Sequence, residues 1–437
     1  MLLTGVQNRR TKFSFDHIFE TVVCPFFDEL ADRRATNSSV SLSDACRCGL
    51  AVHQLKSPSL LKFVEKAKLE NSNVRSVFNI RRIPSDEGMR KILDRVDSGV
   101  LGAVQRRVYD HIYEHGLTKK YRFYRHYETL AFDGVHTFSS KSISCPHCLV
   151  KNHRDGTQTF SHSLLSVALV CSGKREAFVV DNEPIVNTDG HTKNDCERTA
   201  IQRLLERFET HYAERAYIMT FDALYSCAPV VKRIEKQANW EYVMNVKPGS
   251  HPHLFAQFEQ LDAHKLVLWK NKRESDGKYR FGYANGLALN ASNPGVKVNM
   301  LWCEWTNKKG KKTTFTYITS FKLTSRNLVT MMRIGRSRWK VENEVFNTVK
   351  NQDYRLEHNY GHGKEHLCNN MSLLMMLAFT LDQIQKAGDS LFQAVAKQFR
   401  TTVAIWDNIR AIFKLLAVTS MDDVLRHILT MYCVRRV

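Results

Sequence analysis

A chain of 437 residues is too long for one compact core, so two to four folding units are expected. Hydrophobic content of 43% with 10% aromatics excludes a disordered chain. Lys and Arg number 64 against 44 Asp and Glu, a net charge of +20, which points to a polyanionic partner. Charge governs encounter and solubility more than function, so a merely basic soluble enzyme is the alternative. The opening Met1 to Arg10 lacks the apolar run of a signal peptide, and no apolar stretch reaches about 18 residues, so no membrane partner is expected. Eleven scattered cysteines, including Cys46 and Cys48 one residue apart, suit reduced thiols in a cytosol-like compartment.

In chain order, Phe15 to Leu30 carries apolar residues at helical spacing. Ser41-Leu42-Ser43-Asp44 is an N-cap region before Ala45 to Leu55, Ser57-Pro58-Ser59 opens the next helix, and Ile83 to Glu87 starts another that runs to Val96. Short helices with Arg81, Arg82, Arg90 and Lys91 on them suit a DNA-binding unit, and a structural helical bundle is the alternative. From about Tyr127 the pattern turns to short apolar runs bounded by polar or Gly/Pro residues: Thr129–Phe132, Leu164–Val170, Ala177–Val180, Tyr217–Phe221 and Trp240–Val246. An amphipathic helix over about Asn194 to His211 separates the third from the fourth, and one over about Ala228 to Gln237 separates the fourth from the fifth. Three strands, then helix, strand, helix, strand is the order of a ribonuclease H-like α/β core. From about Leu266 to Thr319 the signal is strongly β, with basic turns such as Lys308-Lys309-Gly310-Lys311-Lys312, an antiparallel module set into that core. Helices resume near Arg326, and Leu373 to Leu381 reads as a buried one. The expected division is residues 1–125 helical and DNA-binding, 126–260 the first part of the core, 261–322 the β insertion, 323–370 the core's last helix, and 371–437 a helical C-terminal region.

Three acids stand out. Asp133 ends the run Thr129 to Phe132, Asp222 ends Ala216 to Phe221, and Glu342 sits in the helical stretch Arg338-Trp339-Lys340-Val341-Glu342-Asn343. Acids at two strand ends and on one helix can converge on a pair of divalent cations, the arrangement that in-line attack on a phosphodiester requires. The bland readings are a strand-end Asp-Gly turn for Asp133, a helix cap for Asp222 and a solvated helix face for Glu342. Arg338, one turn before Glu342, would hold a DNA phosphate.

At these residues the sequence resembles the bacterial insertion-sequence transposases of the DDE class, in the subgroup with a β insertion before the final Glu. That subgroup carries a Tyr-x2-Arg-x3-Glu-x6-Lys signature, of which Arg338 to Glu342 supplies the Arg-x3-Glu part. The tyrosine position falls on Gly335, and the lysine position falls on Val349 with Lys350 one residue late. Glu344 is the runner-up third acid. The resemblance, over roughly Tyr127 to Leu367, implies Asp133, Asp222 and Glu342 as catalytic ligands of two Mg²⁺ (or Mn²⁺) ions and double-stranded DNA as substrate, both element ends and target. It also implies cut-and-paste strand transfer through a hairpin intermediate, a homodimer in the synaptic complex, and a bacterial cytoplasmic location, at the nucleoid when bound to DNA. An insertion aromatic would stack on a flipped base. Trp302 and Trp305 are the candidates, with Trp269 third, and sheet packing is their alternative.

Cys145-Pro146-His147-Cys148 is half of a zinc knuckle, and His153 nearby is the expected third ligand of a structural Zn²⁺. The fourth stays open among His136, His147 and His162, and a pair of reduced thiols in a turn is the alternative. Asn194-Asp195-Cys196-Glu197-Arg198 reads as a helix N-terminal turn whose acids complement the dipole and could touch the site. Leu391, Phe392, Val395, Phe399, Ile405 and Ile409 suit either a dimer contact or the chain's own core.

Overall fold

The computed structural model describes residues 10–35, 37–69, 71–187, 197–265 and 267–434. Its centre is a large open sheet formed by β1 (Arg122–Tyr124), β2 (Tyr127–Ser140), β3 (Leu149–Asn152), β4 (Gln158–Val170), β5 (Phe178–Ile185), β6 (Tyr217–Phe221), β7 (Trp240–Asn245), β8 (Leu268–Glu274), β9 (Gly277–Ala288), β10 (Lys297–Asn307) and β11 (Lys312–Thr319). The order is β3-β4-β2-β6-β7-β11-β10-β9-β8, with β1 on β2 and β5 on β4. Strands β2, β6 and β7 run parallel, and the pairs to either side are antiparallel. The basic β8–β11 region is therefore continuous with the central sheet, joined through Tyr317 opposite Asn245 and Thr319 opposite Val243.

Both faces of the central strands are covered, which is why β6 is buried throughout and its one polar side chain, Thr220, donates to the Leu130 carbonyl. Tyr217, Met219 and Phe221 enter the larger core, while Ile218 points into a second one with Val243, Leu301, Tyr317 and the helix Leu328–Ser337. The larger core gathers helices from both ends of the chain. Helix Leu367–Gly388 is buried along most of its length and packs on helices Leu42–Gln54 and Ser98–Glu114. Non-local packing of this kind explains why a 22-residue helix needs no amphipathic pattern. Leu391, Phe392, Val395, Ile405 and Ile409 are buried in the same core, and Phe399 packs against it. Of the two readings of that segment, this is the intramolecular one.

Caps fall where the sequence placed them. Ser41 accepts from the Asp44 N–H at 3.0 Å, Ser59 from Lys62 at 3.1 Å, and Ser85 from Gly88 at 3.0 Å. The helical run begun at Phe15 widens to a π segment over Phe19–Val23 just ahead of Pro25, which has no N–H to donate. Strands β2 and β4 run well beyond their apolar stretches, because polar residues such as Ser139 and Ser161 pair where one sheet face meets solvent.

Candidate active site

Ala131 on β2 lies opposite Thr220 on the parallel strand β6. Asp133 and Asp222 each follow that pair by two residues, so they stand at one level on neighbouring strands, which run about 4.8 Å apart. Asp133 Oδ1 accepts from the Gly134 N–H at 3.0 Å. Asp222 Oδ1 accepts from the Leu224 N–H at 2.8 Å, a turn made six residues before the helix Ala228–Glu235 begins, so Asp222 does not cap that helix.

The third acid arrives on a helix. Arg338 donates from Nη1 to Asp133 Oδ2 at 2.9 Å, and its Nη2 lies 3.6 Å from Glu342 Oε2. Glu344, the runner-up, instead faces Lys340 at 3.9 Å. Burial pushes the Asp133 carboxyl up to about 6; Arg338 opposes this, while Glu342 and then Asp222 add to it by like-charge repulsion. Asp133 thus lies within electrostatic reach of both other carboxylates, and the Arg338 guanidinium pairs with two of the three.

A fourth carboxylate stands beside them. Glu197, at the start of helix Glu197–Tyr212, accepts from the Tyr225 hydroxyl at 2.5 Å. Its Oε1 lies so close over Gly134 that a Cβ there would be 2.4 Å away. The sequence marks this stretch as a helix start whose acids could also touch the site. Asn194, Asp195 and Cys196 lie outside the described residues. The signal that would have found Glu197 is the glycine after Asp133, which admits the carboxylate.

Both departures from the Tyr-Arg-Glu-Lys signature have a structural counterpart. At Gly335 the missing side chain's place is taken by the Tyr317 ring from β11; a Cβ there would be 2.4 Å from it. Gly335→Tyr, which restores the signature residue, is expected to cost about 3 kcal/mol or more by overpacking, measured by denaturant unfolding. At the other end, Val341–Phe346 is π-helical and Asn347–Asn351 is α-helical. An i→i+5 turn takes up one more residue than an α turn, so two turns after Glu342 end about eight residues on rather than about seven. That residue is Lys350, whereas Val349 is fully buried. Lys350 is half-exposed and rests 2.8 Å from Glu357.

The remaining candidates separate. Trp302 stacks on Phe258 of helix Pro252–Ala263 with centroids 5.8 Å apart, on the larger core. Trp305, three residues on, faces the other side of the sheet, where Arg336 lies 5.2 Å over its ring. Trp269 lies under Arg280 at 3.8 Å. Beside Trp305, a cleft of about 330 Å³ is lined by Tyr279, Arg333, Arg336, Trp339, Lys340 and Asn343, among others. Arg81 and Arg82 are exposed, while Arg90 pairs with Asp86 at 2.8 Å and Lys91 with Glu87 at 2.7 Å.

Cys145 and Cys148 come together, but not with His153, whose Nε2 is 2.7 Å from the Thr159 hydroxyl. That expectation is corrected: the histidines beside the thiols are His162 from β4 and His362 from far down the chain. Sequence proximity favoured His153, whereas the β3–β4 pairing carries His162 back to the knuckle.

A large open sheet with helices on both faces is consistent with an α/β transposase domain. Residues 167–380 match the family model described as Transposase DDE domain, which supports a DDE-class transposase. The matched segment contains Asp222 and Glu342, and Asp133 precedes it. The family implies a nuclease or transesterase that acts on DNA, and it generally uses divalent metals. No curated protein matches the chain. Among the described residues no helix is long and apolar enough to cross a membrane.

Proposed function

We propose that this protein is a DNA transposase with a ribonuclease H-like core, which cuts at element ends and joins the freed strand to target DNA. The observation that supports the reading is that Arg338 bridges Asp133 and Glu342, while Asp222 stands at the level of Asp133 on the adjacent parallel strand. Three carboxylates of which only two share a counter-charge fit hard divalent cations, and Mg²⁺, which keeps several waters, suits so few protein ligands. Asp133, Asp222 and Glu342 would hold the ions, which when bound activate the attacking oxygen and steady the leaving one.

The chain's own groups do the rest. Ions held by Asp133 and Glu342 would supply the counter-charge that Arg338 now gives them, and its guanidinium would then be placed to take a phosphate bidentately. Lys350, exchanging Glu357 for DNA, would hold a second phosphate along the same helix face. Trp305, although it packs on Tyr279 and Phe315, lies on the side of the arginine-lined cleft and so suits base stacking in a hairpin step better than Trp302, which is stacked on Phe258 at the opposite face. Synapsis of two ends would bring two copies together on DNA. Lys350→Ala is expected to weaken binding of a duplex end by a similar factor across sequences and to lower the salt slope by about one, read from titrations at several salt concentrations.

The test is incubation of a labelled duplex carrying the element's end with the wild-type protein and Mg²⁺ or Mn²⁺. Metal-dependent nicks at the end together with joined products support the proposal. Cleavage without joining would make the protein a nuclease of the same fold, and binding without cleavage a DNA-binding derivative.

A further inference from the structure

We propose that Cys145, Cys148, His162 and His362 bind one zinc ion that fastens the segment after the Glu342 helix to the strands carrying the first acid. The four ligand atoms all lie within 4.8 Å of one another. The two sulfurs are 3.8 Å apart, Cys145 and Cys148 Sγ each lie 3.4 Å from His162 Nε2, and Cys148 Sγ lies 3.3 Å from His362 Nε2. A tetrahedral zinc with sulfur at about 2.3 Å and nitrogen at about 2.0–2.1 Å sets S···S near ~3.8 Å and S···N near ~3.5 Å. These four separations match that tetrahedron, and the other two stay within 4.8 Å.

The surroundings suit a closed structural site rather than a catalytic one. Cys148, His162 and His362 are buried, and four protein ligands leave no open position. The Cys148 N–H donates to the Cys145 carbonyl at 3.1 Å, which folds the Cys-x2-Cys segment into a knuckle. His362 Nδ1–H donates to the Gly363 carbonyl at 3.0 Å, which fixes the tautomer that presents Nε2 to the metal. The loop holding His362 is itself tightly set. Asp94 accepts the backbone N–H groups of Lys364, Glu365, His366 and Leu367, and a Cβ on Gly363 would meet that carboxylate at 2.2 Å.

The consequence is geometric. Cys145 and Cys148 follow β2, which carries Asp133, and His162 lies on β4 beside it. His362 lies 20 residues after Glu342, beyond the end of its helix. One ion would thus tie both sides of the candidate active site at a point away from the acids. Metal binding of this kind contributes directly to folding.

The experiment is elemental analysis of the full-length protein purified without added metal, with Co²⁺ exchange as a spectroscopic probe. Expected are about one zinc per chain in the wild type and in His153→Ala, and an intense tetrahedral Co²⁺ spectrum with thiolate charge transfer. His362→Ala and Cys145→Ser are expected to bind at least tenfold more weakly. A wild type that holds no zinc and takes Co²⁺ without that spectrum would overturn the proposal, as would His362→Ala and Cys145→Ser binding as tightly as wild type. Should those two variants fail to fold, the wild-type and His153→Ala arms still decide. Because the readout is metal content and not DNA cleavage, its failure is distinct from failure of the transposase reading.

Discussion

Asp222→Ala is expected to lower metal-dependent cleavage of an element end by about 10³-fold or more while duplex binding stays within a few-fold. Removing a carboxylate that holds a catalytic ion forfeits several kcal/mol of transition-state charge stabilisation, and each ~1.4 kcal/mol is a factor of ten. Asp222 is the cleanest of the three to change. Its side chain makes one local turn bond, to Leu224, whereas Asp133 is ion-paired to Arg338 and its loss would leave that guanidinium without its nearest partner. Glu342→Ala is expected to match Asp222→Ala within tenfold, and Glu344→Ala to leave cleavage within about threefold of wild type, because Glu344 faces Lys340 and not the other acids. A gel assay of labelled ends with a parallel binding titration checks all three. An Asp222→Ala protein that still cuts in Mg²⁺ at the wild-type rate would remove these acids from the chemistry.

The second large effect concerns stability. Lys56 and Asp382 form an ion pair at 2.6 Å with both side chains almost wholly buried. Gln54 Nε2 also donates to Asp382 at 2.5 Å, as does the Tyr354 hydroxyl, and the Lys56 ammonium lies over the Tyr354 and Trp406 rings at 3.7 and 4.1 Å. Asp382→Ala strands the ammonium in the core and is expected to cost about 3–5 kcal/mol in chemical unfolding. The double variant Lys56→Met, Asp382→Leu should recover only part of that, since an apolar pair carries no charge-desolvation penalty but leaves the Gln54 and Tyr354 donors unpartnered.

The sign of the pH dependence follows from the same burial. Desolvation, with Lys386 and Arg410 adding repulsion, lowers Lys56 to about 8 against the pull of Asp382. Without Asp382 it falls further, so the unfolded chain binds the extra proton over a wider range and the variant gains stability as pH rises. The Asp382→Ala deficit should therefore narrow as pH climbs toward about 8, and a constant deficit from pH 6 to 8 would refute this account.

The acids were legible because of their settings: Asp133 and Asp222 close apolar runs of strand character, and Glu342 keeps its register with Arg338. The late lysine was legible only as an irregularity. Nothing in the letters Val341 to Lys350 announces a π turn, which arises where the helix is held against β2. Gly335 likewise looked like a lost tyrosine until the Tyr317 ring filled its place. Glu197 was named in the sequence as a helix-start acid that could touch the site, and its closeness to Gly134, next to Asp133, closes a 63-residue separation.

The sequence by itself determined the α/β character, the basic composition and the positions of the helix caps, and it singled out the three candidate acids, because each rests on local chemistry or short-range periodicity. The tertiary structure alone decided which histidines meet the Cys145–Cys148 knuckle, that β8–β11 extends the central sheet, and that both chain ends share one core around Leu367–Gly388. These contacts join residues from 14 to more than 200 positions apart. Only strand pairing and burial, which act on the whole chain at once, select them.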